Sequence, residues 1–316
     1  MKLHHLEALV AVADTGSIRA AARLIAISQT AVSKALRELE NTQRMTLLMR
    51  AASGVTFTEA GQKLLSHARQ VIGQLQRAEE EMAEMRGEHI GQLSIAVTPW
   101  VMRAFVPATL ERFRTKMPDV QVELFEGLSA VALPRLRDGA LDFAVVPLIP
   151  AMPEQEFENE PLVSFNTYVV ARPDHPAVDA RSIGELLAMN WAVNFTVSTY
   201  PAQMQDLFWQ HGFDIEPRRL HCAHSASFLF DLIGHADMIG PCPAPLIISG
   251  PGTPLVRLEL KEALQPKTVG IIKRRNAVSS ASARCFIECL VEVIRQRARS
   301  SRREDTVLFD ALKLLI

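Results

Sequence analysis

The sequence predicts an α/β protein with a small all-α helix-turn-helix at its N-terminus, a long linker helix and two C-terminal lobes, on three observations. Residues 3–41 hold three short helical patterns separated by tight turns. Residues 59–86 carry one apolar seam spaced alternately by four and three, and beyond residue 91 strand-like apolar runs alternate with helical stretches. The expected divisions are therefore 1–58, 59–90, 91–299 and an extension, 300–316. A chain of 316 residues exceeds one domain at ~150 residues each, so a buried core needs no disulfide staples.

Composition narrows the class. With 48% hydrophobic and 22% charged residues the chain is neither disordered nor collagen-like. No apolar run approaches the ~18 residues of a membrane span, and Glu7 and Asp14 interrupt the apolar N-terminal pattern, so a cytoplasmic protein without a membrane partner is expected. Four cysteines (Cys222, Cys242, Cys285, Cys289) are too few for a disulfide framework and read as reduced thiols. The 34 basic and 35 acidic residues nearly cancel, so placement carries the information: residues 1–58 hold seven basic against four acidic side chains.

Leu3, Leu6, Leu9, Val10 and Ala13 fall at helical spacing, Gly16 breaks the helix, and Ser17 caps the next. Ile18 to Leu24 is alanine-rich, which permits the close helix crossing a helix-turn-helix requires. After a short turn Ser28 is placed to cap a third helix over Gln29 to Asn41, with Ile27 and Val32 forming a hydrophobic staple. Val32, Ala35, Leu36 and Leu39 form its apolar stripe, leaving Gln29, Thr30, Ser33, Lys34 and Arg37 opposite. Amide, hydroxyl and basic side chains in that arrangement suit base edges and phosphates of duplex DNA.

From Thr58 one long helix is expected, with Leu64, Ala68, Val71, Leu75, Ala78, Met82 and Met85 as its seam. Over Glu59 to Arg86 it spans about 42 Å and flanks the seam with charge, the pattern of a short coiled coil joining two copies. A homodimer, extending to a dimer of dimers, would present two readers to paired half-sites.

Strands are expected at 93–97, 120–125, 142–148, 167–172, 191–195, 219–223 and 237–241, with helices at 103–116, 130–138, 183–189, 201–211 and 225–235. Such alternation implies parallel sheets under covering helices, in two lobes. Ligands of open α/β lobes bind beyond the carboxyl ends of strands. The candidates there are Thr98, Trp100, Ser129, Pro147, Thr196, Ser198, His224, Ser225, Gly240 and Pro241. Hydroxyls and helix N-termini suit a small organic anion.

The stretch SIRAAARLIAISQTAVSKALRELE (residues 17–40), followed by LLMR and SGVTFTEAG, resembles the N-terminal winged helix-turn-helix of LysR-type transcriptional regulators. LRDGALDFAVV and the ARPDHP turn resemble that family's periplasmic-binding-protein-like effector domain, so the resemblance extends to about Arg299. It implies a DNA-binding regulator modulated by a small-molecule effector held between two lobes, with RNA polymerase as a further partner. Carried over by position, Ser17, Arg19, Ser28, Gln29, Thr30, Ser33, Lys34 and Arg37 would contact DNA, with Arg50 and Ser53 at the wing. Two residues depart from the family pattern: Thr30 stands where proline is usual, and Ser53 where a basic residue is common. Both bear on operator preference and salt dependence.

No catalytic residue, cofactor or metal is expected: the chain lacks a phosphate-binding glycine loop, a nucleophile elbow and a zinc ligand quartet. His221, Cys222 and His224 form an H-C-x-H cluster, but on a strand Cys222 points away from both histidines. Cys222 and Cys242 lack the basic neighbours of a redox pair. The basic run at 295–303 and the apolar finish VLFDALKLLI suggest an added helix docking on the dimer or a neighbouring dimer. The competing reading is an α/β enzyme or solute-binding protein fused to an accessory helical domain.

Overall fold

The computed structural model describes residues 1–51, 54–86, 91–149, 155–195, 197, 199–249, 254–275, 277 and 279–316. The chain forms two compact units, Met1–Gly91 with Pro134–Asp142, and Gln92–Leu133 with Phe143–Ile316.

The first unit contains α1 (Leu3–Thr15), α2 (Ile18–Leu24), α3 (Gln29–Gln43), a hairpin of β1 (Leu48–Ala51) and β2 (Gly54–Phe57), and α4 (Glu59–Met85). Gly16 ends α1 at φ 70°, a conformation that favours glycine. The Ser17 and Ser28 hydroxyls accept from Ala20 N and Ala31 N, each cap contributing ~1 kcal/mol. Leu6, Leu9, Val12, Val32, Leu36 and Leu39 are buried together between the three helices. Ile27 stays exposed while Val32 is fully buried, so the expected staple does not close. Glu40 Oε1 accepts from Leu47 N at 2.8 Å and Leu48 N at 3.2 Å, tying the hairpin to the end of α3. Gly61, at the start of α4, lies against the hairpin: a Cβ there would sit 2.1 Å from the Leu47 carbonyl oxygen.

The second unit runs β3 (Gly91–Val97), α5 (Pro99–Ala104), α6 (Val106–Lys116), β4 (Val120–Glu126), the first half of α7 (Ser129–Arg137), β5 (Phe143–Pro147), β6 (Phe157–Phe165), β7 (Thr167–Ala171), β8 (Asn190–Val193), α8 (Tyr200–Leu207), β9 (Leu220–Cys222), α9 (Ala226–His235), β10 (Met238–Pro243), α10 (Ala244–Ser249), β11 (Val256–Arg257), β12 (Lys267–Arg274), α11 (Ala281–Ala298), α12 (Arg303–Asp310) and β13 (Leu312–Leu314). One lobe is built on a sheet ordered β13-β6-β12-β5-β3-β4, the other on a sheet ordered β11-β7-β10-β8-β9.

The expected parallel sheets are mixed. β3 with β5, and β8 with both β9 and β10, are parallel, but β12 runs antiparallel to β5 and β6, and β7 antiparallel to β10. The chain leaves the first lobe after β6 and re-enters it as β12; β12, and β7 in the other lobe, run against the βα units, while β6 runs with them. The expected helix over 103–116 is two helices, because Phe105 caps α5 and Pro107 starts α6. The one at 183–189 shrinks to a single tight turn at Ile183–Leu186.

The tail also departs from expectation. Residues 300–316 belong to the second unit: α12 is held by Arg297, which pairs with Asp305 and reaches the Ala104 carbonyl, and β13 adds to the sheet beside β6. Leu308 is buried in this lobe's core, with Phe309, Leu312, Leu314 and Ile316 packed on it. Folding back onto its own lobe covers that apolar face without a second copy. Among the described residues no helix is long and apolar enough to cross a membrane.

Candidate nucleic-acid interface and ligand cavity

Burial of Val32, Ala35, Leu36 and Leu39 fixes the rotation of α3 and turns its other side outward. Ser28, Gln29, Thr30, Lys34 and Arg37 are exposed there and Ser33 is half-buried. The side chains of Gln29 and Arg37 make no hydrogen bond among the described residues, leaving amide and guanidinium to bond outward. The Ser28 and Thr30 hydroxyls share a 2.8 Å hydrogen bond, and Lys34 Nζ lies 3.8 Å from Glu38 Oε1 on the next turn. Thr30 thus stiffens the start of the helix through its hydroxyl. Ser17 is half-buried in its capping role, and Arg19 is exposed on α2. Arg50 lies on β1 with its Cα opposite Val55; Ser53 is outside the described residues.

The seam of α4 divides in two. Leu64 and Ala68 pack into the core of the first unit, because the three short helices and hairpin leave an apolar gap that the start of α4 fills. Val71, Leu75, Ala78, Met82 and Met85 are exposed, Met85 at 81%. The unpartnered stripe therefore begins at Val71, shorter than the expected seam.

The second unit encloses a cavity of about 850 Å³ lined from both lobes. Of the candidate ligand residues, Thr98, Trp100, Ser129, Pro147 and Pro241 are in its lining. Thr98 is held by its N–H to Val145 O at 2.9 Å, and the Ser129 hydroxyl donates to Pro147 O at 2.5 Å. Trp100 Nε1 is buried without a hydrogen-bond partner among the described residues, as is Thr167 Oγ1 in the same walls. The starts of α7 and α8, at Ser129 and Thr199, also open onto the cavity. Two polar links join the lobes at its edge. Glu126 Oε1, at the end of β4, accepts from Ala226 N at the start of α9 (2.8 Å), and Asp206 Oδ2 on α8 lies 3.1 Å from Lys267 Nζ on β12.

Three expected ligand residues do not line this cavity. Gly240 is spent on strand packing, since a Cβ there would meet Ala192 O at 2.4 Å. Ser225 turns its hydroxyl to Ser227 (2.8 Å), and His224 is exposed. Their helix N-terminus is occupied by Glu126. Thr196 and Ser198 lie outside the described residues. The sequence reading missed Phe165, Thr167, Gln203, Asp206, Lys267 and Thr268, all in the lining. Phe165, Thr167, Lys267 and Thr268 sit on or beside the crossing strands β6, β7 and β12, and Asp206 is the acid facing Lys267.

His224 curls back past the strand end to bring Nε2 within 3.9 Å of Cys222 Sγ, so these two do not point apart as expected; the thiol itself donates to Phe195 O at 3.2 Å. Cys222 and Cys242 lie on β9 and β10 with β8 between them, about 10 Å at ~4.8 Å per strand, too far for a disulfide. Burial pushes the Cys242 thiol up to about 12, which keeps it unreactive. Cys285 and Cys289 are buried core residues on α11.

An outward polar helix face on a three-helix unit, joined by a long helix to a two-lobed ligand cavity, defines a helix-turn-helix regulator with its own sensor domain. Residues 3–62 match the bacterial regulatory helix-turn-helix of the lysR family, and residues 86–295 match the LysR substrate binding domain. The chain belongs to the LysR family of DNA-binding transcriptional regulators, and these are regulators rather than enzymes. It is 25% identical to the transcriptional regulator TdcA of Escherichia coli K12 over 291 residues, covering 92% of this chain and 93% of TdcA. Its fold is similar to full-length OxyR from Pseudomonas aeruginosa (TM-score 0.63, 19% identity, 93% of this chain and 95% of that one). It is similar too to full-length CbnR complexed with its target DNA (TM-score 0.60, 19% identity, 93% and 100%).

Proposed function

We propose that this regulator reads paired half-sites in duplex DNA as a homodimer, extending to a dimer of dimers, and that a small organic anion bound between its C-terminal lobes biases the assembly. The observation that carries the proposal is the outward face of α3, where Gln29, Thr30, Lys34 and Arg37 stand exposed on a helix whose rotation the core fixes. In this reading Gln29 and Ser33 address base edges, and Lys34, Arg37, Arg19 and the wing residue Arg50 neutralise phosphates. The exposed stripe Val71–Met85 joins two copies, so each assembly presents two readers. Residues 91–299 act as sensor: Lys267 and the starts of α7 and α8 supply positive potential, while Trp100 and Phe165 supply an apolar wall. Action on DNA places the protein in the cytoplasm, and RNA polymerase contact would follow from action at promoters.

Footprinting on the DNA upstream of the protein's own coding region tests the reader. Two protected segments about one helical turn apart or a multiple of it are expected, and a fully unprotected region at low salt removes the assignment. Thermal-shift screening against small carboxylic acids tests the sensor; a shift abolished by a bulky substitution at Thr98 is expected, and a shift indifferent to it moves the ligand elsewhere.

A further inference from the structure

We propose that His4, His5 and Glu38 form a binding site for one divalent transition-metal ion of the Zn²⁺ type, clamping α1 to the DNA-reading helix. One ligand-type atom from each residue lies within 4.8 Å of the other two. His5 is 3% exposed and its Nε2 lies 3.1 Å from Glu38 Oε2. The other ring nitrogen of His5 has no hydrogen-bond partner among the described residues, so the contact with Glu38 is its one polar tie there. The His4 ring stands edge-on to it with centroids 4.3 Å apart, and His4 is exposed, free to swing onto a shared ion.

The donor set fits the ion. Two imidazoles and a carboxylate suit Zn²⁺, which binds nitrogen and oxygen at ~2.0–2.2 Å, so tetrahedral ligand atoms stand about 3.4 Å apart. At 3.1 Å the His5–Glu38 pair is a few tenths of an ångström short of that spacing, so closure needs the half-exposed Glu38 carboxylate to turn aside and His4, at the start of its helix, to swing in. Three protein ligands leave a fourth position for water.

The site also has a consequence for α3. Lys34 lies 3.8 Å from Glu38 Oε1 and its side chain is 79% exposed. An ion ligated by Glu38 takes over that carboxylate's charge, adds positive potential to the middle of α3 and releases Lys34 toward phosphate. Metal loading would then tighten duplex binding; this second step rests on the DNA-reading proposal above, whereas the site itself does not.

The test uses the full-length protein and Zn²⁺ alone, titrated against a chromogenic chelator. The expected result is one ion per chain, with His4→Ala and Glu38→Gln each weakening it about tenfold or more and His224→Ala leaving it unchanged. Both substitutions are at solvent-accessible side chains, and unchanged thermal midpoints without metal establish that the variants fold. Zinc retention equal in all variants, or no zinc retained by the unsubstituted chain, overturns the site. Fluorescence anisotropy on a duplex should show severalfold tighter binding with Zn²⁺ for the unsubstituted chain and none for His4→Ala. Zinc bound without that gain overturns the coupling to DNA while the site stands.

Discussion

The proposed DNA-reading face and the candidate ligand cavity are assembled in contrasting ways. The first comes from one unbroken run, Ser28–Arg37, whose helical period separates a buried stripe from an exposed one. The second draws its walls from Thr98 to Leu315 across both sheets. A contiguous face depends on the rotation of a single helix, while a cavity gathered from many segments depends on how the lobes close. Injury to the first should therefore be local and complete, and injury to the second graded.

The sharpest way to break this contrast is Leu39→Ala. Leu39 is fully buried on the inner face of α3, so its truncation should cost ~2–5 kcal/mol and abolish duplex retention. The ligand-induced thermal shift should persist, and its loss would mean the two regions are not independent. Next in size is Leu75→Lys. A charge in the exposed stripe of α4 should raise the dimer dissociation constant by about 100-fold or more, roughly 3 kcal/mol, and an intact dimer in analytical ultracentrifugation would show that the stripe is not the joint. Gln29→Ala should cost ~1–3 kcal/mol of discrimination among operator variants with little loss of non-specific affinity; unchanged selectivity in competition binding would reassign the face. The smallest effect is expected from Glu126→Gln. It weakens a carboxylate tie between lobes at a helix N-terminus, so ligand affinity in calorimetry should fall less than about tenfold with duplex affinity unaltered, and unchanged ligand affinity would show that the tie plays no part in closure.

The same contrast explains what was legible in the sequence. The caps Ser17 and Ser28, the αL glycine Gly16 and the stripe of α3 are signals within a few residues of their partners, and each stands where the pattern placed it. The seam was read as continuous because spacing alone does not tell a partner helix from the chain's own core; the gap that takes Leu64 and Ala68 is a tertiary feature. β6 and β12 escaped notice for a local reason. Pro161 and Gly270 argue against central strands, yet they lie opposite one another at a register shift, where a glycine Cβ would meet Glu160 O at 2.6 Å. With those strands went Phe165, Lys267 and Thr268. His5 and Glu38 are 33 residues apart, and no spacing rule joins them.

The strand β13 has one more consequence. It bonds to β6 through Leu312–Leu314, and Leu315 N donates to Leu162 O at 3.0 Å, so the unpaired backbone groups along that border of the sheet are already taken. Exposed borders of this kind template sticking between molecules. A protein truncated after Asp310 would bare β6 and an adjacent apolar surface together, and should precipitate or form disordered aggregates on warming well before its remaining core unfolds.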